Sequence, residues 1–181
     1  MSFSLVKTLK LYQPVLIFIL KFAGFYFLLS FIYNRYLSFY QQQTDPLTHF
    51  TGKSVEFLFH FSSLNVTTEP LLGEEGLKLL VNDIYLARII EGCNAVSVII
   101  MFVAFLMAFG YSYKNSFFFA LVGTLLIYFF NIIRIGFLAY ILYKFPGYQD
   151  IAHRVVFPGL IYGFVVFLWI IFIKKFNNAI R

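Results

Sequence analysis

The sequence predicts an all-α integral membrane protein with about four transmembrane helices, and three observations support this fold class. Of the 181 residues, 61% are hydrophobic, 22% are aromatic and only 12% are charged, whereas soluble domains carry roughly 25% charged residues. Four apolar stretches each approach the roughly 20 residues needed to cross a bilayer. Lysines flank these stretches, as they do in loops on the cytoplasmic side. We expect a single membrane domain over residues 1–181.

The four predicted spans follow one another along the chain, with polar or turn-forming residues between them. The first is led by Lys7 and Lys10 and is longer than a cleaved signal peptide, so we interpret it as an uncleaved anchor. Pro146 and Gly147 end the third, because proline and glycine interrupt helices. The predicted spans are residues 12–33, 95–111, 117–143 and 155–173.

The distribution of charge predicts the orientation of the chain. If there are four spans and both termini are cytoplasmic, the lysines beside the spans share the cytoplasmic side. These lysines are Lys7, Lys10, Lys114, Lys174 and Lys175. All eight acidic residues then lie on the outer side. Because the basic residues are scattered, the net charge of +6 reflects membrane topology, and we expect no nucleic acid as a partner.

Residues 34–92, between the first two spans, are predicted to form a small extracytoplasmic segment with its own secondary structure. An imperfect helical stripe of apolar residues predicts an amphipathic helix that can lie on the membrane surface. Two apolar stretches on either side of Asn82-Asp83 are typical of a β-hairpin, which leads directly to Cys93. The predicted elements are a helix within 46–61 and strands at 77–81 and 84–90.

Cys93 is the only cysteine of the chain, and it lies where a polar stretch becomes an apolar one. A lone thiol cannot form an internal disulfide, so its candidate roles are packing in the interior and chemical reactivity. Its position at a predicted membrane boundary makes reactivity the more informative hypothesis.

Arg134 interrupts the third predicted span and shares a helical face with Asn131. An arginine near the hydrocarbon costs at least a few kcal/mol unless it is paired or reaches water, and such residues commonly mark functional sites. Two structural alternatives remain open: the guanidinium could reach the interface along its own side chain, or it could pair with a carboxylate such as Asp150.

His153 opens the fourth predicted span, and Asp150 is a candidate N-cap of that helix. An imidazole at the outer interface can act as a base, although a histidine at a helix start is more often an ordinary interfacial residue. His49 and His60 are weaker candidates. The histidines and the cysteine lack metal-ligand spacing, so we expect no metal and no cofactor.

The predicted topology brings Cys93, Arg134 and His153 to the outer leaflet on three different spans, and each then has a chemical role. Near a helix start, the Cys93 thiolate is favoured by the helix dipole, while Glu91 would oppose it if close. His153 can accept the thiol proton and return it to a leaving amine. Arg134 can bind a carboxylate or stabilise the oxyanion of a tetrahedral intermediate. Together they predict a site of thiol acyl transfer.

At these residues the chain resembles the exosortases and archaeosortases, which are multispan membrane cysteine transpeptidases. The resemblance covers about residues 77–173, and it is closest to the short branch found in Bacteroidetes-type bacteria. It rests on a cysteine that opens a span, an Asn-x-x-Arg-Ile motif and a later histidine at the outer start of a span. Here these are Gly92-Cys93-Asn94-Ala95, Asn131-Ile132-Ile133-Arg134-Ile135 and Asp150-Ile151-Ala152-His153-Arg154.

The resemblance implies Cys93, Arg134 and His153 as catalytic residues in a cysteine protease or transpeptidase at the outer face of the bacterial cytoplasmic (inner) membrane. Implied partners are the lipid bilayer, a surface glycan or lipid as candidate acceptor, and exported proteins that carry a C-terminal motif, helix and basic cluster. Candidate supporting residues are Asn131, Asp150 and Asn94. Two departures stand out: family members commonly have Ser-Gly or Ser-Ala after the cysteine, and they are longer.

Two other functional classes stay open at this point. In a non-catalytic scaffold or an accessory subunit of a surface-export or polysaccharide system, Cys93 is a small buried hydrophobe and His153 only caps a helix. A small transporter or channel subunit is the third class, but one intramembrane arginine gives no evident substrate path. Thiol reactivity distinguishes the enzyme from both alternatives.

Overall fold

The computed structural model describes residues 2–41, 43–60, 62–71, 73–110, 113–148, 151 and 155–177. Within these ranges the chain forms long helices and one small antiparallel sheet. In chain order the elements are α1 (Ser2–Leu37), α2 (Pro46–Phe59), β1 (Val66–Pro70), β2 (Leu77–Val81), β3 (Ile84–Ile89), α3 (Val96–Phe109), α4 (Tyr113–Lys144) and α5 (Phe157–Asn177). Short 3-10 turns lie at Ser38–Tyr40, Glu91–Cys93 and Pro146–Tyr148.

Three described helices are long and apolar enough to cross a membrane, which confirms a mostly helical membrane protein. They cover Tyr12–Tyr40, Lys114–Lys144 and Phe157–Lys175 and correspond to the first, third and fourth predicted spans. The second predicted span, 95–111, forms α3, which has only 14 residues. At 1.5 Å per residue such a helix is about 21 Å long, short of the roughly 30 Å hydrocarbon core. The fourth crossing therefore stays a prediction.

The segment between the first two predicted spans contains the predicted hairpin and one strand that was not predicted. β2 and β3 are antiparallel, and the two residues between them have positive φ angles, 50° at Asn82 and 64° at Asp83. Such a two-residue turn matches the twist of a hairpin. β1 adds to the other side of β2, so the strand order is β1-β2-β3. The segment is thus a three-stranded sheet beside a helix.

The predicted amphipathic helix is confirmed as α2, but the face that it buries consists largely of small residues. Asp45 caps its N-terminus by accepting hydrogen bonds from the backbone N–H groups of Leu47 and Thr48, at 3.0 and 3.1 Å. The buried residues are Thr48, Thr51, Gly52 and Val55. A Cβ at Gly52 would meet the side chain of Leu77 at 2.5 Å, so this face lies against β2. Val55 of the predicted stripe is buried, whereas Leu47, Phe50, Phe57 and Leu58 remain exposed, as a membrane-surface helix requires.

The buried apolar residues form two clusters, and α4 contributes to both. The sheet cluster joins α2, the sheet and the later part of α4: Val55, Val66, Leu77, Leu79, Val81, Ile89, Ile132, Ile135 and Ala139. The helix cluster joins α3, the earlier part of α4 and α5: Ala95, Phe102, Leu106, Ile127, Ile161, Val165, Leu168 and Phe172. A glycine of α4 permits a close contact in each cluster. A Cβ at Gly123 would meet the side chain of Phe102 in α3, and a Cβ at Gly136 would meet the side chain of Leu58 in α2.

Candidate functional site

The backbone around Cys93 is a tight connection between the sheet and the helices. After β3 the chain forms the 3-10 turn Glu91–Cys93, in which the N–H of Cys93 donates to the carbonyl of Ile90 at 2.8 Å. Ala95 then adopts a left-handed conformation, with φ of 65°, before α3 begins at Val96. The cysteine therefore lies just ahead of the helix and is half-buried as a free thiol.

Asn94 anchors this turn to two elements that are distant in sequence. Its side chain is buried, with 1% of its surface exposed. The Nδ2 atom donates to the Tyr33 hydroxyl of α1 at 2.9 Å and to the Thr48 hydroxyl of α2 at 3.1 Å. The Oδ1 atom accepts from the Val96 N–H at 3.0 Å, which satisfies a free donor at the start of α3. The family that the chain resembles commonly has serine at this position. Asn94 differs from it, but its three hydrogen bonds hold the turn in place.

Asn131 fixes the same turn from the opposite side. Its side chain is also 1% exposed, and its Nδ2 atom donates to the carbonyl oxygen of Cys93 at 2.7 Å. Leaving a buried amide without a hydrogen-bond partner costs about 1–3 kcal/mol of folding free energy. Loss of this hydrogen bond would therefore destabilise the folded protein. The cysteine backbone is therefore held between α4 on one side and the Asn94 contacts on the other.

Arg134 lies one turn after Asn131 on α4 and borders the same cavity as Cys93. The guanidinium is partly buried and interacts electrostatically with Cys93 and with Tyr162 of α5. Among the described residues no carboxylate pairs with it. The cavity therefore contains a positive charge and a free thiol, and Tyr162 also lines it.

The cavity has a volume of about 570 Å³, and the sheet and three helices line it. One wall is β3 with Leu79 of β2, Gly92 and Cys93, and the others come from Val98 of α3, from α4 and from the start of α5. Most of the helix residues that line it are apolar: Ile135, Leu138, Leu142, Phe157, Pro158 and Ile161. A cavity of this size, mostly apolar with a few polar groups, is typical of a small-ligand site.

His153 and Asp150 lie outside the described residues, so the structure does not test their predicted roles. The described part of the chain resumes at residue 155. Phe157 and Pro158, close after His153 in the sequence, line the cavity. The alternative role of Arg134, an ion pair with Asp150, is not tested either, because Asp150 lies outside the described residues.

Three residues near the site were not predicted from the sequence. Tyr33 and Thr48 hold Asn94, and Tyr162 borders the cavity beside Arg134. Nothing in their local sequence marks the first two, because a tyrosine at a span end and a threonine in a helix are ordinary. Tyr162 interrupts a strongly apolar helix, and this is the one signal that could have identified it.

The acidic residues near the site are engaged locally. Glu91, in the same turn as Cys93, accepts from the hydroxyl of Ser97 at 3.3 Å. Glu56 joins α2 to β1, since its carboxylate accepts from Lys53 at 2.8 Å and from the N–H and hydroxyl of Thr68, both at 2.6 Å. Burial opposes ionisation of Glu56, but the hydrogen bonds from Lys53 and Thr68 outweigh it and lower its pKa. Within the described ranges no three His, Cys, Asp or Glu side chains converge as metal ligands would.

Comparison with known proteins gives one match. The model of the family described as transmembrane exosortase (Exosortase_EpsH) matches residues 8–174, which is nearly the whole chain. No protein of curated function and no solved structure matches significantly.

Proposed function

This chain belongs to the transmembrane exosortase family, and on that premise we propose that it is a membrane-embedded cysteine protease or transpeptidase that cleaves C-terminal sorting signals of exported proteins. The observation that carries this proposal is the shared cavity, which brings the only thiol of the chain beside the guanidinium of Arg134. These two groups come from elements far apart in sequence, and each has a role in acyl transfer to sulfur.

In the proposed reaction the sulfur of Cys93 attacks the carbonyl carbon of the scissile peptide bond. The S–C bond forms while the carbonyl oxygen becomes an oxyanion beside the positive charge of Arg134. His153 accepts the thiol proton and passes it to the departing amine as the C–N bond breaks. The product is a thioester, which water or an acceptor amine then resolves.

The hydrogen bonds around Cys93 support this assignment on physical grounds. A nucleophile reacts efficiently only if it is held in a productive geometry. The Asn131 amide holds the Cys93 carbonyl, and Asn94 ties the next residue to Tyr33 and Thr48. We assign Asn94 and Asn131 as positioning residues, since neither needs to touch the substrate. A thiol that served only as a small buried hydrophobe would not need two buried amides to fix its backbone.

The proposed setting is the outer face of a bacterial inner membrane, where residues 1–181 act as one unit. Substrates are exported proteins that end in a recognition motif, a transmembrane helix and a basic cluster. The acceptor of the acyl group is either water or an amine carried by a surface glycan or lipid. The bilayer itself is a partner, because it delivers the substrate helix beside α4 and α5.

The test uses the native host and the C-terminal peptides of its membrane proteins. In wild type we expect proteins with the tripartite tail to be found without it, whereas Cys93→Ala and His153→Ala should retain the tail on the same proteins. Each variant must accumulate to the wild-type level in the membrane. Complete processing in the Cys93→Ala strain would reject the enzyme and favour the non-catalytic scaffold or accessory subunit.

A further inference from the structure

β3 is an edge strand of the sheet, and it borders the cavity that contains Cys93. It pairs only with β2 among the described strands. In an antiparallel strand, alternate residues direct their N–H and C=O groups away from the paired neighbour. β3 therefore carries backbone donors and acceptors that another strand could use.

Consecutive residues of β3 border the cavity, so the cavity is not confined to one face of the strand. Successive side chains of a strand point to opposite faces, and a cavity on one face alone would touch every second residue. Here Ala87, Arg88 and Ile89 of β3 line it, together with Leu79 of β2 and with Ile90, Gly92 and Cys93 after the strand. The cavity thus touches the sheet face at Leu79 and extends along β3 to the thiol.

The remaining walls are suited to the side chains of an extended peptide. Ile135 and Leu138 of α4 and Phe157 and Ile161 of α5 supply an apolar surface opposite the strand edge. Arg134 lies in the same cavity as the cysteine. The arrangement offers main-chain hydrogen bonds along one side and apolar contacts along the other.

Resting on the proposed function, we propose that the segment of the substrate before its scissile bond binds in extended form as a fourth strand on β3. Strand addition of this kind gives affinity through main-chain hydrogen bonds and specificity through alternate side chains. Because the strand leads into the Glu91–Cys93 turn, a peptide that follows β3 presents its next carbonyl to the sulfur of Cys93. Free strand edges are normally protected from association, and the cavity of about 570 Å³ beside β3 is the space that we assign to the added strand.

The experiment uses the full chain in detergent and a peptide reagent of defined chemistry. Acetyl-Val-Thr-Val-Ala-chloromethyl ketone alkylates a thiol: its S–C bond forms as chloride leaves. Cys93 is the only thiol, so intact mass reports its rate of modification. We expect this peptide to alkylate Cys93 about tenfold faster than acetyl-Ala-chloromethyl ketone does. N-methylation of the peptide at alternate residues should lower the rate of alkylation about tenfold, which corresponds to the loss of one hydrogen bond.

Two glycine variants test the geometry inside the protein. A Cβ at Gly92 or at Gly147 would meet nothing within 4 Å, so both positions accept a larger side chain. Gly92 lines the cavity and Gly147 does not. We expect Gly92→Leu to lower the ratio of the peptide reagent's rate to the iodoacetamide rate, whereas Gly147→Leu should leave this ratio unchanged.

Strand addition is overturned if the peptide gives no acceleration, or if N-methylation at every position has the same effect. A failure of the proposed function is distinguishable, because it appears as unchanged substrate processing in Cys93→Ala cells. Peptide acceleration with the alternating N-methyl pattern would stand even then as evidence for a peptide-binding edge.

Discussion

The two apolar clusters of this protein differ in what they hold, although the same helix passes through both. The helix cluster packs α3, the earlier part of α4 and α5 through aromatic stacking, such as Phe105 on Trp169 at 4.3 Å and Phe130 on Phe164 at 4.6 Å. The sheet cluster packs β2 and β3 against α2 and the later part of α4. Cys93 packs against the sheet cluster, and Ala95 belongs to the helix cluster. The cysteine turn is therefore the junction of the two.

The difference between the two clusters indicates which of them fixes the position of Cys93 relative to Arg134. In the membrane, helices associate through van der Waals packing without a hydrophobic driving force, because lipid is as apolar as leucine. The sheet lies outside the candidate spans, although it packs against Ile132, Ile135 and Ala139 within one of them. We therefore expect burial of the sheet residues to gain more of the hydrophobic term than burial between the helices. We infer that the sheet cluster fixes the cysteine turn relative to Arg134, while the helix cluster holds the bundle together.

The largest expected effect is on activity, from a change at Arg134. Arg134→Lys keeps the positive charge but loses the planar guanidinium. If this group stabilises the oxyanion, processing should fall about a thousandfold, equivalent to about 4 kcal/mol, while membrane accumulation stays normal. Lys144→Arg, on the same helix but away from the cavity, is the control and should process normally. Normal processing by Arg134→Lys would remove the proposed role.

The next effect is on stability and compares one leucine from each cluster. Leu77 and Leu106 are 0% and 1% exposed. Leu77→Ala should lower the free energy of unfolding by about 3 kcal/mol, through lost transfer energy and a cavity. Leu106→Ala should cost less, since lipid contacts replace part of the loss. Denaturant titration in detergent measures both, and an equal or larger loss at Leu106 would contradict the proposed contrast.

A smaller effect is expected from the hydrogen bond that joins α4 to the cysteine turn. Asn131→Ala removes the donor to the Cys93 carbonyl, and the resulting misplacement should lower the rate of processing about tenfold. Asn115→Ala, an exposed asparagine at the other end of α4, is the matched control. If the two variants process equally well, Asn131 does not position the cysteine.

The smallest effect is a pH dependence of stability at Glu56, which joins α2 to the sheet. Because its pKa is lowered in the folded state, its contribution is present above the ordinary glutamate pKa of about 4.3. It is lost as the pH falls through the lowered folded pKa. Glu56→Gln should therefore destabilise the protein by about 1 kcal/mol at pH 7, since the carboxylate is partly exposed.

Thermal unfolding across about pH 3 to 7 measures the Glu56 effect. The difference in melting temperature between wild type and Glu56→Gln should disappear at the acidic end of this range. Glu74→Gln provides the control, because that carboxylate pairs with Arg88 in an exposed position, with 61% of its side chain accessible. A gap at Glu56 that is independent of pH would show that the carboxylate charge is not involved.

The sequence predicted the elements that depend on local signals and missed those that depend on distant contacts. The hairpin was predictable because Asn82-Asp83 is a two-residue turn between apolar strands. β1 was missed because its threonine-rich strand is stabilised by pairing with β2, and Pro70 at its end is unfavourable within a strand. The helix in the predicted second span is the shorter α3, because Ala95 before it and Gly110 after it both have positive φ angles and so mark its two ends.

The proximity of Cys93 and Arg134 was predictable, and the contacts that hold the cysteine turn were not. The predicted topology brought Cys93 and Arg134 to the same leaflet, and the structure places both in one cavity. The contacts of Asn94 with Tyr33 and Thr48 could not be predicted, since they depend on how α1 and α2 pack around the turn. Local sequence carries no information on such packing.

In the proposed function, Cys93 lies in a water-accessible cavity on the outer side of the membrane, where the charge of Arg134 acts on it. Intact cells would be treated with a matched pair of membrane-impermeant methanethiosulfonates, one anionic and one cationic, and labelling of the only thiol would be timed. We predict that wild type reacts about tenfold or more faster with the anionic reagent, and that Arg134→Gln abolishes this preference. Labelling without charge preference, or no labelling until the protein is denatured, would contradict the claim.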